Sequence, residues 1–208
     1  MNKRLVWNFE IKAGKRSAID QLPAQEQDSI RWEARYFWPE PTTIILHGLN
    51  ETILSLADFE IKEREDSYYL LPQYHLNIKK RKDKLLYKPL LGQKEPCYGF
   101  GKKINLMTIS PEQALPGCPA LEAGTLLKLL QSQGTIIDVY KTALIYKFTC
   151  SPSVKLELSR LIINKTIYFS ASIEGYSYDL VAKINSLLLK QPISCDYVTF
   201  LQKLTHDK

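Results

Sequence analysis

Alternation of apolar and polar residues runs through most of this chain, and that period of two is the repeat of a β-strand. In 166-TIYFSASIEG-175, Ser170, Ser172 and Glu174 form one row while Ala171 and Ile173 form the other. In 153-SVKLELSRLII-163, Lys155, Glu157 and Ser159 oppose Leu156 and Leu158, and in 30-IRWEARYF-37, Arg31, Glu33 and Arg35 oppose Trp32, Ala34 and Tyr36. The same pattern marks strands at 5–12, 42–49, 53–62, 67–71, 76–81, 84–90, 136–141 and 143–148. Helical patterns are few: 17–22, 120–133 with Gly134 as its stop, 177–190 before Pro192, and 196–204. Many strands and few helices predict an α+β protein, mainly antiparallel, whose sheet is closed or strongly curved with helices outside.

The stretch 91–119 is rich in Gly and Pro and reads as an irregular surface excursion between strands, so residues 1–208 are expected to form a single domain. Composition supports a packed core: 45% of the residues are hydrophobic and 24% charged. Cys97, Cys118, Cys150 and Cys195 form no CxxC pair, and His47, His75 and His206 lie far apart, so zinc-type spacing is excluded. Free thiols, a start without the apolar core of a signal peptide and no membrane-length apolar run together suggest a cytoplasmic protein with no membrane partner. Lys and Arg number 28 against 22 Asp and Glu, a net charge of +6, which points to an anionic partner.

Six of those cations fall within 76-LNIKKRKDKLLYKP-89: Lys79, Lys80, Arg81, Lys82, Lys84 and Lys88. On a strand, Lys79 and Arg81 share a face with Asn77, whereas Lys80 and Lys82 lie across from them or at a turn. A single charged row is most often the solvated face of an open sheet. The rows here have mixed sign, with carboxylates on some strands and cations on others. A barrel that took both inside would suit a polyphosphate held by Arg and Lys and a divalent metal held by carboxylates.

At these residues the chain resembles the CYTH, or triphosphate tunnel metalloenzyme, superfamily, over roughly residues 30–190. The stretch 64-REDSYYLLPQYHLNIKKRKDKLLYKP-89 is similar to that family's Asp-Thr-Tyr strand, its Leu-x-Ile-(Lys/Arg)-x-Arg strand and a strand ending in Lys. The stretch 136-IIDVYK-141 is similar to its Val-x-Lys strand, and 153–181 to its paired terminal strands, each with an acid, followed by a helix. The resemblance implies a tunnel-like barrel in which Arg35, Lys79, Arg81, Lys88 and Lys141 bind phosphate. It places Glu33, Glu157 and Glu174 as catalytic acids and ligands of Mg²⁺ or Mn²⁺.

The chain also departs from the family pattern. The opening signature Glu-x-Glu-x-Lys becomes 31-RWEAR-35, or, aligned on 8-NFEIK-12, keeps Glu10 and Lys12 but has Asn8 for the first acid. Ala143 stands where an Arg is common, and Lys155 where a second acid is common. Each change removes a metal-ligand oxygen or a phosphate donor. Two functions remain in view. One is a metal-dependent hydrolase or phosphoryl-transfer enzyme acting on a triphosphate-containing substrate. The other is a non-catalytic module of the same fold that binds polyphosphate or a nucleotide. Nucleic-acid binding by the Lys79–Lys84 cluster is a third reading, without a recognised motif behind it.

Overall fold

The computed structural model describes residues 2–12, 19, 22–190 and 194–206. The chain opens with a hairpin of β1 (Lys3–Val6) and β2 (Phe9–Ile11), then runs through β3 (Arg31–Pro39) and β4 (Ile44–Leu46), which lies parallel to β2. A 3₁₀ turn at Glu51–Ser55 leads into β5 (Glu60–Leu71), β6 (Tyr74–Arg81), β7 (Lys84–Lys88), β8 (Leu90–Lys94), β9 (Cys97–Phe100) and β10 (Ile104–Asn105). A small hairpin, β11 (Ala114–Leu115) with β12 (Cys118–Glu122), precedes α1 (Ala123–Gln133). Long strands follow: β13 (Thr135–Lys147), β14 (Val154–Ile163) and β15 (Thr166–Gly175), then α2 (Tyr178–Leu188) and α3 (Tyr197–His206).

The β14–β15 hairpin shows how the sequence sets the register. Asn164 and Lys165 have φ of 49° and 65°, the positive pair that a two-residue hairpin turn needs for its twist to match the strands. Pairing then runs unbroken from Ile163↔Thr166 to Val154↔Gly175. A slip of one residue would move every charged side chain to the other face.

Ten strands form one antiparallel sheet in the order β10-β7-β6-β5-β13-β14-β15-β3-β9-β8. Its two edges are joined. Only Pro89 separates β7 from β8, and only 101–103 separate β9 from β10, so each pair continues as one bent strand. These two bent strands pair along their length, through β10 with β7, a bond from Gly101 N–H to Pro89 O of 3.0 Å, and β8 with β9. The hydrogen-bonded circuit therefore closes, which leaves no long edge to template aggregation. Gly99 lets Ile30 and Trp32 pack closely on β9, because a Cβ there would lie 2.5 Å from the Ile30 side chain and 3.0 Å from the Trp32 ring.

Three expectations are corrected here. The 91–119 stretch is not simply an excursion: β8 and β9 close the barrel. The 5–12 alternation is broken by a turn in which Trp7 has φ 46°, so it forms two short strands. The 53–62 segment begins as the 3₁₀ turn and becomes strand only from Glu60. The 17–22 helix falls largely outside the described residues.

Apolar residues divide by face. Outward residues of β3, β13, β14 and β15 pack under α2 and the small sheet, with Phe9, Ile11, Leu46, Leu156, Leu158 and Ile173 all fully buried. Outward residues of β6 and β7, including Ile78 and Tyr87, pack under α1. The third cluster lies at one end of the barrel interior. There Tyr197, Val198 and Leu201 of α3 meet Tyr68, Leu70, Ile137, Val139, Leu161 and Ile163.

Candidate functional site: a charged lumen closed at one end

Inward rows read from the α3 end toward the opposite mouth change from apolar to charged. On β15 the row is Tyr168, Ser170, Ser172, Glu174; on β3 it is Phe37, Arg35, Glu33, Arg31; on β14 it is Ile163, Leu161, Ser159, Glu157, Lys155. Tyr168, Phe37, Leu161 and Ile163 belong to the apolar cluster around α3. Above that floor the barrel encloses a cavity of about 150 Å³.

Glu33, Arg35, Lys79, Lys88, Lys141, Glu157 and Glu174, all expected in the site from sequence, line this cavity. Arg81 stands beside it, bonded to Asp66. Within the six-cation segment, alternation separates roles: Lys79 is buried, and Arg81 and Lys88 are half-buried toward the lumen, while Lys80, Lys82 and Lys84 are exposed.

Glu157, 4% exposed, is the hub. Its Oε1 accepts from Lys141 Nζ at 2.9 Å, from Arg35 Nη1 at 3.2 Å and Nη2 at 3.3 Å, and from Ser159 Oγ at 3.3 Å. Glu33 accepts from Arg35 Nε at 2.7 Å through one oxygen and from Lys88 Nζ at 2.7 Å through the other. Arg31 reaches Glu174 at 2.9 Å. Burial pushes the Glu33 carboxyl up, but Lys88 and Arg35 outweigh it and hold it well below the usual carboxylate range. Burial likewise pushes the Glu157 carboxyl up, but Lys141 and Arg35 outweigh it and hold it well below the usual carboxylate range, so it stays ionised.

Asp66 is a fourth acid, not singled out from sequence. It takes Arg81 in a two-bond fork, Nε at 2.5 Å and Nη2 at 2.6 Å, and Lys79 Nζ at 2.9 Å. Burial raises its pKa, yet Arg81 and Lys79 lower it to about 2. Lys79 fares differently. Burial depresses it well below the ordinary lysine value; Asp66 offsets only part of this, and Arg81 and Lys141 add repulsion. The signal for Asp66 was parity: it shares a face with Arg64 and Tyr68, inside a run of charges that looks solvated.

Sequence reasoning also missed lining cations. Lys62, Arg64 and Lys103 join the wall, and Arg31 and Lys155, first noted as lost acids, stand there as added cations. Nine Lys and Arg therefore face three Glu in the lining. Taking those twelve residues out of the chain's 28 Lys and Arg and 22 Asp and Glu leaves nineteen of each, so the net +6 is accounted for by this lining. Among the described residues, Arg64, Lys103 and Lys155 have no ion-pair partner within 4.0 Å.

The carboxylates were expected to ligate Mg²⁺ or Mn²⁺. In this arrangement each is held by cations, and among the described residues no three His, Cys, Asp or Glu side chains form a group able to hold a metal ion. Nor does any described helix have the length and apolarity to cross a membrane.

No protein-family profile matches the chain, and no curated protein sequence does. A solved structure of a "putative adenylate cyclase" from Bacillus halodurans is similar at a TM-score of 0.39 and 13% identity, over 84% of this chain and 88% of that one. At that level the likeness adds nothing to what the strand pairings show by themselves.

Proposed function

We propose that the lumen binds the polyphosphate portion of a ligand. The observation that carries this reading is the cation excess of the cavity lining, nine against three, in a protein otherwise balanced in charge. Desolvating each buried ion costs several kcal/mol, roughly, and an apolar filling of the same volume is often no less stable. The buried charges balance, with Arg35, Lys79 and Lys141 against Glu33, Asp66 and Glu157, so the excess lies in the more exposed cations of the wall, a poor device for stability and a good one for an anion. Arg35 and Arg31 offer planar forks, and Lys79, Lys88 and Lys141 offer point charges, the combination that phosphate oxygens accept. A volume of about 150 Å³ lies below that of drug-sized pockets, so it suits phosphate groups rather than a whole nucleotide.

Calorimetric titration with phosphate, diphosphate and tripolyphosphate in metal-free buffer tests the reading. Affinity is expected to climb with each phosphate and to fall as salt rises. Equal affinities for all three would remove the clamp. Metal-dependent hydrolysis is a second reading, favoured by Glu33 and Glu174 standing directly opposite each other on β3 and β15. Absence of phosphate release from tripolyphosphate or nucleoside triphosphates with Mg²⁺ or Mn²⁺, despite binding, would reject it.

A further inference from the structure

Tyr197 comes from α3, outside the strand motifs, yet it lines the charged cavity from below. Its ring is 6% exposed and packed on Tyr68 at 5.1 Å and Phe37 at 5.1 Å. The Arg35 guanidinium lies 4.8 Å from the ring centre and Lys141 Nζ 5.7 Å. Its hydroxyl is buried and has no hydrogen-bond partner. An orphaned hydroxyl beside two buried cations is costly in the free protein, since buried polar groups are nearly always satisfied. Burial pushes its pKa up, so the oxygen keeps its proton and can donate.

The surroundings make this donor a stop. Below Tyr197 the interior is filled by Val198, Leu201 and the apolar residues of β5, β13 and β14. The helix is tied in place by Asp196, which accepts from Thr199 N–H at 3.0 Å and lies 3.0 Å from His75 Nε2 at the β5–β6 turn. Among the described residues this filling blocks the α3 end, so a phosphate chain enters from the opposite mouth, where Arg31, Lys88, Lys103 and Glu174 also line a second chamber of about 280 Å³.

Resting on the polyphosphate reading above, we infer that Tyr197 is a specificity-determining residue for chain ends. Its hydroxyl donates to an oxygen of a terminal phosphoryl group seated between Arg35 and Lys141. The class of ligand is thus one with a free phosphate terminus. Chains capped at both ends, or threaded through by internal phosphates, do not fit because α3 occupies their exit.

The test compares tripolyphosphate, ATP and diadenosine triphosphate by calorimetry on the full chain and on Tyr197→Phe. Tripolyphosphate and ATP are expected to bind the wild type at least a hundredfold more tightly than the doubly capped compound. Tyr197→Phe keeps the ring packing and removes only the donor. Its affinity for tripolyphosphate is expected to fall about tenfold, the size of one hydrogen bond to a charged group. Its Tm without ligand is expected to hold or rise, because an unpaired buried hydroxyl has gone. A lower Tm with unchanged affinity would show a purely structural tyrosine and overturn the inference. So would diadenosine triphosphate binding as well as ATP. If no tripolyphosphate binds the wild type, the polyphosphate reading itself has failed and this one falls with it.

Discussion

Replacing Glu157 by Gln should move stability and affinity in opposite directions. Glu157→Gln keeps the shape and an acceptor oxygen but removes the charge that Arg35 and Lys141 share at 2.9–3.3 Å. Both cations remain buried, Lys141 with a relative exposure of 8% and Arg35 of 4%. Stripping one partner from a buried ion cluster costs about 3–5 kcal/mol, and the retained acceptor favours the lower end, about 3 kcal/mol. For a domain of this length each kcal/mol is worth roughly 2–4 °C, so Tm should drop by roughly 6–12 °C. Binding should gain. A carboxylate about 4–6 Å from a phosphate charge, the spacing for a group seated between Arg35 and Lys141, repels it by about 3–4 kcal/mol at an effective dielectric of about 20, on the order of a hundred- to a thousandfold in affinity. Tripolyphosphate at a hundred times its Kd adds about 2.7 kcal/mol and should restore most of the lost Tm. Differential scanning fluorimetry with and without ligand, paired with calorimetry, reads both signs. Weaker binding alongside a lower Tm would refute the reasoning, because the cations would then need Glu157 more than they attract phosphate.

Three further outcomes follow from the same geometry. Asp66 is depressed from 3.8 to about 2, so its stabilisation is full above its unfolded pKa and lost as pH falls through about 2. Urea unfolding between pH 5 and 2 should show a loss of about 2 kcal/mol that Asp66→Asn abolishes; an unchanged pH profile in that variant would count against the fork. His75 is raised by its bond to Asp196, so that contact is complete below the ordinary histidine value and lost as pH rises through the raised one. Amide exchange in α3, measured by mass spectrometry, should quicken over that range in the wild type and show no such step in His75→Gln. Lys79 is depressed by burial in the free protein, so an incoming phosphate should raise it and draw in a proton. Calorimetry of tripolyphosphate in two buffers of different ionisation enthalpy should differ for the wild type and converge for Lys79→Met.

Much of the barrel was legible because its long strands repeat with strict period two and turn at recognisable places. The rows carrying Glu33, Arg35, Glu157 and Glu174 were readable as rows, and Asn164-Lys165 as a hairpin connection. The alternation also separated Lys79 and Arg81 from Lys80. Short strands left no such trace: β8 and β9 have five and four residues, broken by Gly92 and Gly99, and their identity comes from pairing with each other and with β3. A period of two marks two faces without saying which is inside. That was settled when α2, α1 and the small sheet covered the apolar rows, leaving the charged rows to face one another across a closed circuit. Arg64 and Lys155 became lumen residues only through that enclosure. Tyr197 became one because the interior was left open at one end for a helix to fill. Local sequence sets which side chains share a face, whereas enclosure depends on contacts between residues more than a hundred positions apart, such as Arg35 with Glu157. No local pattern carries those contacts.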